Sequence, residues 1–306
     1  MGNYVLRRLV ITVPILLLVV TLVFLVFQLI PGDAARMYAG EQATEEEVER
    51  VRREFGLNDP LVVQYASYLD RLSRGDLGTS IMTRRAVSTE IGGRFWNTVQ
   101  LAVGAIILAT AVGLLLGAVS AVKRGSTWDY FATILALVGI STPVFWLGLL
   151  MMYVFTLRLG ILPSSGKDGW QYHIMPTITL SVFSLAFITR MTRSSLLETI
   201  NQDYVRTARA KGVSERWVLL RHALRNALLP IITIVGLRFG YMLGGAVITE
   251  VVFSWPGMGR LLISAVSQRD VQVVQACLLV FATSFVLVNL AVDIAYAYVD
   301  PRIRHR

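Results

Sequence analysis

The sequence has little of what most enzymes need. Its only cysteine, Cys277, cannot form an internal disulfide. Its three histidines, His173, His222 and His305, stand too far apart in the sequence to suggest a set of metal ligands. No serine, histidine and aspartate triad or carboxylate pair is evident, and only 16% of the residues are charged. We therefore expect a protein that is not an enzyme and that binds no metal and no cofactor of its own.

Hydrophobic residues are abundant instead, making up 55% of the 306 residues. Several apolar runs are long enough to cross a bilayer core of about 30 Å. The first run is longer than a signal-peptide core and is not followed by a small-residue cleavage site, so we expect it to be retained. The pattern predicts an all-α polytopic membrane protein with six transmembrane helices, at residues 9–30, 98–122, 130–157, 174–192, 230–249 and 273–299.

The basic residues are distributed unevenly along the chain. Lys and Arg number 29 against 20 Asp and Glu, for a net charge of +9. They concentrate before the first span, after the second, between the fourth and fifth, and at the C-terminal end. Cytoplasmic loops of membrane proteins carry such an excess, so both termini are predicted to be cytoplasmic. The charge is explained by topology and implies no nucleic-acid partner.

Residues 31–95 are predicted to be the larger external segment. Thr44 and Glu47 form the pattern of a capping box at the start of a helix, and Gly56 is placed to end that helix. Residues 61–72 form a second amphipathic stretch. Two roles are open for this segment, a cover for the helix bundle or a surface that receives a partner.

Residues 193–229 are predicted to be a cytoplasmic loop, and its most informative part reads DYVRTARAKGVSERWVLLRHALRNALLP from Asp203 to Pro230. A helical pattern runs to Lys211, and Gly212 can take the left-handed conformation that ends a helix. Ser214 is placed to cap a second helix with Glu215 in its first turn. The sequence predicts two helices that meet at a tight, exposed corner.

This segment resembles the cytoplasmic "EAA" loop of binding-protein-dependent ABC importer permeases, in the dipeptide, oligopeptide, glutathione and nickel branch. Other stretches resemble the same family: IPGDA, FGLNDPL, QYASYLDRL, GDLGTS, AVSTEIGGRFWNTVQL and WPGMGRLL. The chain departs from the general pattern at Arg206 and Thr207, where the family has Glu and Ala, and keeps only the alanine at Ala208. The branch also usually has proline where Ala34 and Ala86 stand.

The resemblance implies a type I ABC importer permease fold in a prokaryotic cytoplasmic membrane. It implies a homologous second permease, two ABC ATPase subunits that carry ATP and Mg, and an extracytoplasmic binding protein received by a scoop-like segment at 31–95. The implied cargo is a di- or oligopeptide, with glutathione, nickel chelates and opines as alternatives. The implied ATPase-coupling residues are Asp203, Arg206, Ala208, Arg209, Lys211, Gly212, Val213 and Ser214.

Charged residues inside spans are costly and usually find partners. Arg238 and Asp293 are predicted at comparable depth in the fifth and sixth spans, where they form an intramembrane pair that Asn289 shares. A structural pair and a cargo contact are both open. An ion-coupled secondary transporter, a different class of protein, would use the same charges for ion coupling.

Three further groups are candidates for the transport pathway. Pro143 predicts a kink near Ser141, which is either ordinary packing or a gate. A stripe of small residues in the fifth span favours close helix packing, or alternatively borders the pathway or the second permease. In the external loop 250–272, Glu250 and Trp255 either contact binding protein or cargo or anchor the membrane interface. The stripe consists of Gly236, Gly240 and Gly244.

Overall fold

A computed structural model describes residues 2–29, 33–40, 43–54 and 56–299, and this part of the chain is helical, with no β-strand. The helices are α1 Gly2–Gln28, α2 Ala34–Ala39, α3 Glu45–Glu54, α4 Leu61–Ser73, α5 Val87–Val122, α6 Thr127–Ser141, α7 Val144–Met151, α8 Gln171–Ile200, α9 Asp203–Ala210, α10 Glu215–Trp217, α11 Arg225–Val252, α12 Met258–Ser267 and α13 Val271–Val299. Two π-helical turns, Met152–Arg158 and Val218–Leu224, continue α7 and α10. The fold confirms an all-α protein.

Five helices of the described chain are long and apolar enough to cross a membrane, and α6 with α7 makes a sixth when the bent pair is counted as one span. Polar ends lengthen several of them. The second span helix begins at Val87, well before the predicted 98, and α8 continues past 192 to Ile200. Hydropathy reports residence in lipid, whereas a helix continues into water as long as its backbone bonds are made.

The core of the bundle is the packing of α5 and α11 against α8. Glycines allow the close approach of α5 to α8, because a Cβ on Gly113 would press on Ile188 and one on Gly117 would overlap Thr192. Helix α13 packs on α11 and on α1. Small residues therefore set the distances between the central helices, as expected where lipid removes most of the hydrophobic drive for association.

The break at Pro143 is much larger than the predicted kink. Helix α6 ends at Ser141, α7 begins at Val144, and the two axes differ by 104°. Thr142, which precedes the proline, has an extended backbone with φ −84° and ψ 121°. Proline disfavours a helical conformation in the residue before it and offers no backbone donor, so the chain turns a corner here.

The external segment contains α2, α3 and α4. The predicted capping box is confirmed, since the Thr44 backbone N–H donates to the Glu47 carboxylate at 2.9 Å and the Glu47 N–H donates to the Thr44 hydroxyl at 3.3 Å. Gly56 follows α3 with a φ of +62°, as predicted. Helix α4 lies against α1, where the hydroxyls of Tyr65 and Thr21 are 2.6 Å apart. The IPG of the IPGDA motif and the closing residues 300–306 lie outside the described residues.

Candidate coupling and translocation sites

The predicted corner between two helices is present in the loop after α8. Helix α9 ends at Ala210, and Gly212 has a φ of +75°. The Gly212 N–H donates to the Arg209 carbonyl at 2.9 Å, and the Val213 N–H donates to the Ala208 carbonyl at 3.3 Å. This pair of bonds is a Schellman motif, which satisfies carbonyls that the helix end leaves free. The structure thus confirms that Gly212 ends the helix in the left-handed conformation.

The second arm of the corner begins after Ser214, as predicted. Ser214 has the extended backbone of a helix cap, with φ −62° and ψ 145°, but its side chain makes no capping hydrogen bond. A salt bridge closes the corner instead, because Arg209 donates to the two carboxylate oxygens of Glu215 at 2.7 and 3.1 Å. The hydrogen bond with Glu215 raises the pKa of Arg209, so the guanidinium stays charged.

A small apolar cluster holds the inner side of the corner. Val205, Ala208 and Val218 are buried and pack together, with Val213 against them. Two of the predicted coupling residues therefore serve this packing: the Ala208 side chain is buried in the cluster, and that of Val213 is half-buried against it. Residues three apart share a helix face, so Val205 and Ala208 turn inward together.

The outer side of the corner is polar and open. Asp203 and Arg206 are strongly exposed, with 98% and 74% of their side chains accessible. Two exposed aromatic residues that the sequence did not single out lie close by, Tyr204 at 42% and Trp217 at 59%. Each adjoins a buried valine, Val205 or Val218. The helical periodicity of polar and apolar residues could have placed both aromatic residues on the outer face. The exposed coupling candidates are Asp203, Arg206, Arg209, Lys211, Gly212 and Ser214.

Both arms of the corner are direct extensions of spanning helices. Only Asn201 and Gln202 separate α8 from α9. On the other side, residues 215–252 form one helical run that includes α10, the π-helical turn and α11. Pro230, predicted as the start of the fifth span, lies inside α11. The corner is therefore continuous along the chain with α8 on one side and α11 on the other.

The predicted pairing of Arg238 with Asp293 is wrong. Asp293 accepts a salt bridge from Arg8 at 2.8 Å, which joins α13 to α1. Asn289 donates its amide to the Phe285 carbonyl at 2.9 Å and does not bond Asp293. The reason is helical phase: Gly236 faces α13, and a residue two positions further lies about 200° around the helix. Arg238 consequently points away from α13.

Arg238 stacks on aromatic rings of α8. Its guanidinium carbon lies 3.6 Å from the centroid of the Phe187 ring and 5.3 Å from that of Phe183. Its Nε is buried and has no hydrogen-bond partner, and no described residue forms a salt bridge with it. Cation–π attraction is the contact that holds this charge within the described structure.

The glycine stripe of α11 divides into two parts. A Cβ on Gly236 would overlap Val292, and one on Gly240 would press on Phe285, so both glycines serve packing against α13. A Cβ on Gly244 would meet nothing within 4 Å. Gly244 therefore makes no close packing contact with any residue that the structure describes. Ser141 and Pro143, the other pathway candidates, are exposed at the break between α6 and α7.

Glu250 and Trp255 are both 0% exposed, which corrects the prediction that they face a binding protein. The Glu250 carboxylate accepts hydrogen bonds from the Thr98 hydroxyl at 2.6 Å, the Gly259 N–H at 2.7 Å and the Arg260 N–H at 3.1 Å. The last two donors belong to the first turn of α12, where a negative charge is favourable. Glu250 thus joins α5, α11 and α12.

The WPGMG sequence, residues 255–259, wraps around this carboxylate. A Cβ on Gly257 would overlap Glu250, so only glycine fits. The Trp255 indole donates to the Asn97 carbonyl at 3.1 Å, and the Asn97 amide donates to the Pro256 carbonyl at 2.7 Å. These bonds lock the turn between α11 and α12 onto α5.

Two family models match the chain. One, described as "Binding-protein-dependent transport system inner membrane component", matches residues 113–305. The other, described as "Binding-prot-dependent transport system membrane comp, N-term", matches residues 1–102. Together they extend over both the external segment and the helix bundle.

Several curated relatives align over their full length. A protein of Salmonella paratyphi A named "Glutathione transport system permease protein GsiC" is 47% identical over 306 residues, which is 100% of both chains. The protein of the same name from Escherichia coli K12 is 44% identical, again over 100% of both.

Solved structures share the fold at low sequence identity. An amino acid ABC transporter crystallised with histidines is 14% identical, with a TM-score of 0.55 over 75% of this chain and 97% of the other. An inward-facing MetNI methionine ABC transporter is 19% identical, with a TM-score of 0.58 over 67% of this chain and 94% of the other. The ion-coupled secondary transporter is set aside by these findings. The chain belongs to the binding-protein-dependent ABC importer permeases of the bacterial inner membrane and resembles the glutathione permeases among them.

Proposed function

We propose that this chain is a permease subunit of an ATP-driven importer of glutathione or closely related short peptides. The observation that carries the proposal is the 47% identity to a glutathione permease over the whole of both chains. Glutathione is itself a tripeptide, so the cargo class agrees with the di- and oligopeptide import expected from the sequence. The relatives described above are named for glutathione and not for nickel chelates or opines.

The proposed assembly has four kinds of component. This chain forms the pathway with a homologous second permease, two ABC ATPases bind ATP and Mg, and an extracytoplasmic binding protein delivers the cargo. The family description itself names dependence on a binding protein. In this arrangement the chain binds no nucleotide and has no enzymatic activity of its own. Its termini lie in the cytoplasm, together with the corner formed by α9 and α10.

The corner is the proposed docking element for an ATPase. Its outer face carries exposed charge at Asp203, Arg206 and Lys211, while its inner face is held by the cluster of Val205, Ala208 and Val218. ATP-driven closure of the ATPases displaces the corner, and α8 and α11 transmit the movement to the bundle. The bundle then exchanges inward for outward opening, driven by the different affinity of ATP for the two states.

Reconstitution tests the proposed function. The complete complex is placed in proteoliposomes with ATP on the ATPase side and the binding protein on the other, and uptake of labelled glutathione and of a labelled dipeptide is measured. We expect ATP-dependent glutathione uptake that stops without the binding protein. Dipeptide uptake without glutathione uptake would show that the cargo is a dipeptide and not glutathione. Uptake by this chain alone under an ion gradient would refute the ABC mechanism.

A matched pair of variants tests the coupling element. Arg206→Glu reverses an outer-face charge and is expected to weaken ATPase association, which pull-down from membranes measures. Arg124→Glu reverses an exposed charge in the turn between α5 and α6 and is expected to leave association unchanged. Equal loss in both variants would mean that the corner has no special role.

A further inference from the structure

We propose that Arg238 lines the translocation pathway and binds the carboxylate groups of the cargo as they pass, an inference that rests on the proposed function. The site would take a small molecule with a free carboxylate. Its elements are the guanidinium of Arg238 on α11 and the rings of Phe183 and Phe187 on α8.

Arg238 lies deep within a spanning helix. Arg238 lies eight residues after Pro230 and fourteen before the end of α11 at Val252. At 1.5 Å per residue this places it about 12 Å and about 21 Å from those points. Phe183 and Phe187 occupy the middle of α8. The charge is therefore near the centre of two spanning helices.

No described residue forms a salt bridge with Arg238, and the acidic residue expected to do so, Asp293, is bound to Arg8. Yet Arg238 is only partly buried in this chain. A charged side chain at this depth is costly against lipid and usually faces a bundle interior or a water-filled cavity. This face of α8 and α11 is thus turned toward the interior of the assembled importer.

Aromatic rings hold the guanidinium of Arg238. Stacking on the Phe187 ring at 3.6 Å, with Tyr241 5.9 Å away, fixes the guanidinium carbon by cation–π contact. A stacked guanidinium keeps its terminal N–H groups at the edge of its plane, where they match the two oxygens of a carboxylate. An arginine held by aromatic rings and not by an acid keeps its charge available for a passing anion.

The Arg238 site adjoins a groove beside α8. Phe187 also lines a groove of about 620 Å³ between α6, α8 and α11. Arg190, one turn further toward the corner, lies in the same groove and is exposed. A groove of this size is in the range that holds small molecules. Arg193 in this groove is paired with Asp129 at 2.8 Å, so Arg190 supplies the net positive charge of the groove, which runs from the Arg238 site toward the corner.

Charge restoration on a cysteine variant gives the sharpest test. Cys277, which is buried, is replaced by Ala together with the cysteines of the partner subunits, and Arg238→Cys is introduced. The complete transporter in proteoliposomes is then treated with methanethiosulfonate reagents that add an aminoethyl cation, a neutral methyl group or a sulfonate anion through a mixed disulfide, releasing methanesulfinate. The cargo is labelled S-methylglutathione, whose blocked thiol cannot cleave that disulfide.

We expect Arg238→Cys to lower uptake about tenfold or more, because a charge-assisted hydrogen bond supplies roughly that factor. The aminoethyl adduct should restore most of the uptake, and the neutral and anionic adducts should not. Arg238→Lys should keep much of the activity, while Arg124→Gln, a loss of charge at an exposed turn, should have no effect. Leu115→Cys, on an exposed apolar face of α5, should not react with the charged reagents.

Three outcomes would overturn the inference. If Arg238→Cys does not react in the assembled complex, the position faces a closed interface, such as an acidic residue of the second permease. If all three adducts behave alike, charge at this position is irrelevant. If Arg238→Cys transports as well as the parent, no contact is needed. Failure of the parent complex to transport glutathione or S-methylglutathione would instead reject the proposed function.

Discussion

Replacing Glu250 by alanine is expected to loosen the packing among α5, α11 and α12. In the native structure the carboxylate accepts bonds from Thr98 and from the backbone N–H groups of Gly259 and Arg260. The Thr98 hydroxyl can turn to the Arg94 carbonyl, which lies 3.3 Å away. The two backbone donors have no such alternative. Each buried donor left without a partner costs about 1–3 kcal/mol, roughly 2–6 kcal/mol together.

Water entering the space left by the side chain reduces this loss, so we expect about 3 kcal/mol for Glu250→Ala. Glu250→Gln keeps one oxygen for the two backbone donors but loses the charge and the oxygen that accepts the Thr98 hydroxyl, which can bond the Arg94 carbonyl instead, at a cost of about 1 kcal/mol. Gly257→Ala should resemble Glu250→Ala, since its Cβ would overlap the carboxylate. Gly92→Ala is the matched control, because a Cβ there meets nothing within 4 Å.

The assay is thermal unfolding of the purified importer followed by tryptophan fluorescence, together with protease cleavage within residues 253–257. Trp255 reports on the site directly, because its indole is buried beside His173 with the ring centroids 4.6 Å apart. We expect the Tm to be lowest and cleavage fastest for Glu250→Ala, with Glu250→Gln between this variant and the parent. Equal stability of all three proteins would refute the assignment of Glu250 as the clamp between α5, α11 and α12.

Three further predictions concern the helix contacts. Gly212→Ala should cost about 1 kcal/mol through its left-handed backbone and reduce transport per ATP hydrolysed, measured in proteoliposomes; unchanged coupling would contradict the rigid corner. Gly236→Leu should lower the Tm of the complex because its side chain would overlap α13, whereas Gly244→Leu should be tolerated unless the second permease packs there. The exchange of Arg8 and Asp293 should restore the stability that either single charge reversal removes, by up to about 1 kcal/mol for this partly exposed pair; lack of rescue would argue against the pair.

Local patterns predicted much of the fold correctly. The capping box at Thr44 and Glu47, the left-handed end at Gly212 and the apolar runs depend on residues close in sequence, and each is present. The limits of the helices were less well predicted, since hydropathy marks the part of a helix that lies in lipid. At Pro143 the sequence indicated a bend but not its size, because the angle depends on the packing of α7 beside α11.

The candidate sites were less predictable, because most of them depend on which faces of distant helices meet. Periodicity assigns a residue to a face of its own helix but does not identify the neighbour of that face. Arg238 and Asp293 matched in depth, yet they lie on α11 and α13 in phases that point apart. Glu250 seemed external by position, yet α12 folds back and buries it.

By itself, the sequence determined the class of molecule, its apolar spans and the corner between α9 and α10, since these follow from composition and from contacts between near neighbours. Only the tertiary structure decided the partners of the intramembrane charges and the direction in which the corner residues point. The physical reason is that the energy of a charge or a buried carboxylate depends on groups brought from elsewhere in the chain. Arg238, predicted to form an ion pair, is therefore a cation held by aromatic rings.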